Sequence, residues 1–106
     1  MVSDSMLNYE AKKWYDVWCV IDNFDIRHEK QKYPYQSNEL EQIISAVHFA
    51  IETTKKVALH MELDFYQIES CLNTIIKNEK PESAYLRINL LKDAVHHLYI
   101  KLEKEN

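Results

Sequence analysis

The sequence predicts an all-α protein, an antiparallel helical bundle of four helices, and three observations carry that expectation. The chain has no glycine among its 106 residues, where an average composition would supply about seven. Glycine provides the positive-φ positions of tight hairpins and of phosphate-cradling loops, so a P-loop and a dinucleotide-binding fingerprint are both missing. Every long segment carries apolar residues at alternating spacings of four and three, the signature of one helix face. No segment reads convincingly as a β-strand.

The first helix is expected from about Ser5 to Asn23, with Ser3, Asp4 or Ser5 as its N-cap. Its stripe is Leu7, Ala11, Trp14, Trp18 and Ile21. From Phe24 to Ser37 the period is lost among charged residues. Tyr33-Pro34-Tyr35 then opposes helix, because Pro34 lacks an N–H and restricts the residue before it. This stretch reads as the longest loop, polar with an aromatic end.

The second helix opens at Ser37 or Asn38, where Asn38 and Glu41 have capping-box spacing. Its stripe is Leu40, Ile44, Val47, Ile51, Thr54, Ala58 and Met61, and it runs on in phase through Phe65, Ile68, Leu72 and Ile75. Residues 39–77 therefore read either as one long helix, which would make the bundle three-membered, or as two helices. A break near Glu62–Asp64 is the preferred reading. Asp64 followed by Gln67 resembles a fresh cap, and a helix of that length is unusual in a globular domain. Pro81 marks the first turn of the last helix. That helix reads from about Glu82 to Lys101, with the stripe Ala84, Ile88, Leu91, Val95, Leu98 and Leu102.

The length fits one domain covering residues 1–106. With 46% hydrophobic and 28% charged residues the chain is too apolar for disorder. A net charge of −4 repels phosphate backbones, so nucleic acid is an unfavoured partner. No apolar run is long enough to span a bilayer, and no helix pairs a continuous apolar face with a basic one, so no membrane partner is expected. Met1–Ser5 has neither the basic nor the apolar region of a signal peptide. Cys19 and Cys71, each alone in a helical pattern, read as buried reduced thiols. That points to the cytoplasm.

Heptad positions reveal a second apolar surface. With Ile44 and Ile51 at a, Phe49 and Leu63 fall at f, and Leu59 and Tyr66 at b. These positions face away from a bundle core. In the last helix Leu86, Leu90 and Ile100 form a similar row with Asp93 and His97. Exposed apolar rows mark contact sites, and aromatic residues are enriched in them. Phe49, Leu59, Leu63 and Tyr66, with Tyr33 and Tyr35 of the loop as rim, are therefore the expected partner-binding residues.

Catalytic chemistry finds little support. The chain has no Gly-x-Ser-x-Gly elbow and no His-Glu-x-x-His. His48–Glu52, His60–Asp64 and Asp93–His97 are chelate-spaced pairs, but none lies on a core stripe, so neither metal nor cofactor is expected. Val57, Ala58, Met61, Leu63, Ile68 and Cys71 match the apolar positions of a helix-turn-helix, with Glu62 at its turn and Asp64 capping its second helix. Only Gln67 on that helix suits base readout. In size and architecture the predicted bundle is similar to small bacterial immunity and inhibitor proteins and to secretion chaperones, an analogy of fold without a shared motif. The expected function is a non-enzymatic protein-binding module of inhibitor, immunity or adaptor type. It would occlude or position another protein, with self-association into a homodimer as a second form. A small helix-turn-helix-like DNA-binding regulator is the alternative, and a helical-bundle metalloprotein the second alternative.

Overall fold

A computed structural model describes residues 4–28, 37–77 and 81–104. Four α-helices make it up: α1 (Asp4–His28), α2 (Ser37–Lys55), α3 (Glu62–Lys77) and α4 (Pro81–Lys104). A short 3₁₀ turn, Leu59–Met61, leads into α3. The described residues contain no strand. The helices form a ring in which each packs on two neighbours, α1 on α4 and α2, and α3 on α4 and α2. The α1/α4 and α3/α4 seams are the extensive ones.

On the α1/α4 and α1/α2 seams, contacting residue numbers rise on one helix as they fall on the other. On α1 and α4, Tyr15 meets Tyr99, Trp18 meets His96, and Asp25 reaches Lys92. On α1 and α2, Glu10 bonds Thr54, while Val20 and Ile21 lie beside Ile43.

The apolar stripes fill the middle of the ring. α1 contributes Leu7, Ala11, Trp14, Ile21 and Phe24, while Trp18 is only partly buried. α3 buries Phe65, Ile68, Leu72 and Ile75; α4 buries Ile88, Leu91, Val95, Leu98 and Leu102, with the side chain of Ala84 outside the described residues. α2 buries Ile43, Val47, Ala50, Ile51 and Thr54, so its inward face is turned from the expected stripe, with Leu40 and Ile44 half-buried. A helix wedged between two neighbours needs a face wider than a two-position seam.

Two expected boundaries move. α1 runs to His28 rather than ending near Asn23. Its stripe continues by one more member, since Phe24 is fully buried. Asp25 hid that turn: it is 6% exposed although charged, because Lys92 of α4 lies 3.0 Å away. A periodicity test counts such a residue as surface. The remainder of the expected loop, with Tyr33 and Tyr35, lies outside the described residues.

The long middle segment is two helices, but the break lies at residues 56–58 and not at Glu62–Asp64. The Thr54 carbonyl accepts from the amides of both Val57, at 3.0 Å, and Ala58, at 2.9 Å. Ala58 then leaves helical geometry at φ −126° and ψ 63°. Ala58 and Met61 both stay buried through the bend. The apolar phase therefore crosses the break unbroken, and the pattern could not mark its place. Asp64 is no cap. It sits inside α3, 6% exposed, and accepts from Lys101 of α4 at 3.0 Å with His97 at 3.6 Å.

α2 is fastened to α1 by a buried polar chain. Trp14, fully buried, donates its indole N–H to Thr54 Oγ1 at 2.7 Å. The Thr54 hydroxyl donates onward to Glu10 Oε2 at 2.6 Å. A buried carboxylate needs a countercharge, and Lys13 Nζ supplies it at 2.5 Å. Lys13 also donates to Thr53. One hydroxyl thus accepts from an indole N–H that would cost about 1–3 kcal/mol if left unpaired, and adds a second donor to a carboxylate already paired with Lys13.

Candidate interaction surface

The inward positions of α3 leave a fixed set of residues outside. Leu59 of the 3₁₀ turn and Leu63 and Tyr66 of α3 follow one another at spacings of four and three, while Phe65, Ile68 and Leu72 are buried. The first three are 77%, 81% and 67% exposed. Three large apolar side chains in such exposure on one short face are a feature a solvated helix lacks, because each leaves apolar area in water.

Tyr66 stands as a ridge between two open grooves. Toward α2, a groove of about 420 Å³ is lined by Lys55, Leu59, Glu62, Phe65, Tyr66 and Glu69. Toward α4, a groove of about 530 Å³ runs from Tyr66 and Gln67 over Ser70, Cys71 and Ala94 to Leu90, Asp93 and His97. Leu90, 58% exposed, extends the apolar surface onto α4.

The electrostatics of the first groove centre on Lys55. Its ammonium donates to Glu69 Oε1 at 3.0 Å. That hydrogen bond raises its pKa against the opposing effect of burial, and the charges of Glu69, Glu52 and Glu62 add to the rise.

Of the six residues expected to bind a partner, the structure brings three together: Leu59, Leu63 and Tyr66. Leu59 and Tyr66 line grooves; Leu63 lines neither but lies between them in sequence on the same helical spacing, whereas Phe49, 70% exposed, lines neither and lies on α2 beyond the break. Tyr33 and Tyr35 lie outside the described residues. In the α4 row Leu90 is exposed, Ile100 is half-buried, and the side chain of Leu86 lies outside the described residues.

A second surface cluster escaped the sequence reading. Across the α1/α4 seam, Tyr15, Trp18, His96 and Tyr99 close a ring of four contacts, with centroids 5.4 Å apart for Tyr15–Tyr99 and 5.6 Å for Trp18–His96. Tyr15–Trp18 and His96–Tyr99 complete it at 6.2 and 5.9 Å. Each helix contributes two aromatic residues three apart, and that matched spacing was the available signal. These rings largely satisfy one another. A hydrogen bond with the Cys19 thiol, first among several causes, raises the Tyr15 pKa, and one with Glu103 raises that of Tyr99.

No group of three His, Cys, Asp or Glu side chains comes together as a metal site among the described residues. The aspartate of the His60–Asp64 pair is turned into the α4 seam. The turn that a helix-turn-helix would need at Glu62 lies at residues 56–58 instead, and Glu62 is the first residue of α3. Both cysteines are free and half-buried rather than buried. Burial raises the Cys71 pKa, which keeps it a thiol and a weak nucleophile at neutral pH. No helix of the described residues is long and apolar enough to cross a membrane.

No family model matches this chain, and neither the curated proteins nor the solved structures give a match.

Proposed function

We propose that this chain is a non-enzymatic protein-binding module, of inhibitor, immunity or adaptor type, that occludes or positions another protein. One observation supports it above the others: the outer face of the 3₁₀ turn and α3, where Leu59, Leu63 and Tyr66 are each at least two-thirds exposed beside two open grooves. Burying that face against a partner removes apolar area from water that the isolated chain leaves wet. Leu59, Leu63 and Tyr66 are the central anchors. Phe49 is an outlying one, and Tyr33 and Tyr35 stay in the proposal on sequence grounds. The two free thiols fit a reducing compartment, the cytoplasm.

The test compares the tagged protein with a Leu63→Ser/Tyr66→Ser variant in pull-downs from native lysate, with and without nuclease treatment. Circular dichroism should match between the two, because both positions are exposed and surface replacements of this kind change stability by about 0.5 kcal/mol or less. A stoichiometric protein captured by the parent and lost by the variant is the expected result. Equal capture by both proteins, or recovery of nucleic acid alone, would sink the reading.

A further inference from the structure

We infer that the occupant of the α3 face is a basic amphipathic helix of another protein, not a second copy of this chain. The inference rests on the protein-binding reading and names the chemistry of the partner.

Charge supplies the first part of the argument. Lys55 stands among three carboxylates, bonded to Glu69 at 3.0 Å and within the field of Glu52 and Glu62. One ammonium faces three carboxylates there. On the other side of Tyr66, exposed Asp93 lines the second groove. Of the lysines on α4, Lys101 is held by Asp64 at 3.0 Å and Lys92 by Asp22 and Asp25 of α1. The apolar ridge is therefore rimmed by an excess of negative charge. A two-fold dimer through this face would set that rim against itself, and like charges across an interface select against a partner. Phosphate backbones and anionic lipid surfaces are repelled for the same reason. Lysine or arginine on either side of an apolar stripe would find carboxylates at both grooves.

Shape supplies the second part. A ridge at Tyr66 between two grooves is the relief into which the side-chain rows of a helix interdigitate. The floor of the α4-side groove is built from the short side chains of Ser70, Cys71 and Ala94, which lets a helix backbone approach. An extended peptide would need a sheet edge for its own N–H and C=O groups. The described residues offer none, whereas a helix satisfies those groups internally. The occupant thus presents apolar residues at i, i+3 or i+4, and i+7, flanked by basic ones.

The probe is a synthetic Leu/Lys amphipathic helix of about 18 residues with that spacing, and its twin with every Lys replaced by Glu. Each is titrated calorimetrically into the full chain at low salt. The Leu/Lys peptide should bind at least about tenfold more tightly than the twin, with the difference shrinking at high salt as screening sets in. Leu63→Ser/Tyr66→Ser should weaken the Leu/Lys peptide about 30-fold, the loss typical of a buried anchor pair. Glu62→Lys/Asp93→Lys should weaken it too, with the fold intact by circular dichroism.

Equal binding of the two peptides would overturn the inference, because apolar burial alone would then explain it. Leu/Lys binding that ignores Leu63→Ser/Tyr66→Ser would overturn it by placing the contact elsewhere. Concentration-dependent dimers abolished by Tyr66→Ser would overturn it in favour of a second copy. If lysate capture yields a face-dependent partner whose contact segment is not basic, this inference fails and the protein-binding reading stands.

Discussion

α4 and α2 are held in the same ring by different chemistry. α4 offers five fully buried aliphatic side chains, Ile88, Leu91, Val95, Leu98 and Leu102, to α1 on one side and α3 on the other. Charged groups close its edges: Lys92 bridges Asp22 and Asp25, and Lys101 holds Asp64. α2 packs less extensively on both neighbours. It is tied to α1 through the Thr54 hydroxyl and to α3 through Lys55 and Glu69. Open grooves flank it on both sides, one lined by Val17, Val20, Ile43 and Ala46 toward α1, the other toward α3. Apolar burial scales with area and is indifferent to direction. Hydrogen bonds are directional, so the Thr54 hydroxyl meets Trp14 and Glu10 at one setting of α2. The α4 seams thus supply depth of stability, and the α1/α2 link supplies register.

The largest effect should come from breaking the α4 side. Leu98→Ala removes a fully buried side chain and should cost about 3 kcal/mol by transfer and cavity terms together, read from urea denaturation. Hydrogen exchange should then speed up in all helices together, since the core is shared.

Thr54→Val should cost about 2 kcal/mol, because it keeps the volume, orphans the Trp14 N–H and leaves the buried Glu10 carboxylate to Lys13 alone. Here exchange should accelerate more in α2 than in α4. Uniform acceleration would contradict the division of labour drawn above.

The smallest effect is a pH dependence. Burial works against the charge of Lys92, but hydrogen bonds to Asp25 and Asp22 outweigh it and raise the pKa. A raised lysine pKa stabilises the fold fully below the unfolded value of about 10.4, and the contribution is lost as pH climbs through the higher folded value. Thermal melts should therefore show an alkaline decline that Lys92→Met makes shallower. It should not vanish in the variant, because the raised phenol pKa values of Tyr15 and Tyr99 carry the same sign: phenols protonated in the fold lose their contribution as pH rises. An unchanged alkaline slope in Lys92→Met would show that the Asp22–Lys92–Asp25 bridge adds nothing.

Sequence reading recovered what periodicity reports. The stripes of α3 and of the described part of α4 are the buried residues of those helices, and Leu59, Leu63 and Tyr66 are exposed as their phase implies. It missed what periodicity averages over. Asp25 and Asp64 are buried carboxylates whose partners come from α4, and no local pattern announces a partner 67 or 37 residues away. The break at residues 56–58 keeps the stripe in phase, so the cap-like spacing of Asp64 and Gln67 drew the boundary too late. Phe49 shared a heptad position with Leu63, but the bend lies between them. A phase carried across a change of axis no longer identifies one surface.

Ala58 carries a consequence for how this chain can vary. The described residues contain no positive φ, and the bend between α2 and α3 is made at φ −126° by an ordinary L-residue. Backbone geometry therefore does not call for glycine there, and excludes only proline, whose ring fixes φ at about −65° and removes the N–H that Thr54 accepts from. Burial does, since Ala58 has no exposed surface. The position is permissive in conformation and strict in volume: serine fits the space, whereas leucine would have to push α2 off its neighbours. Descendants of this sequence would keep a small residue at 58 while freely exchanging Lys56 beside it. A reader searching for the turn by glycine or asparagine would pass over it.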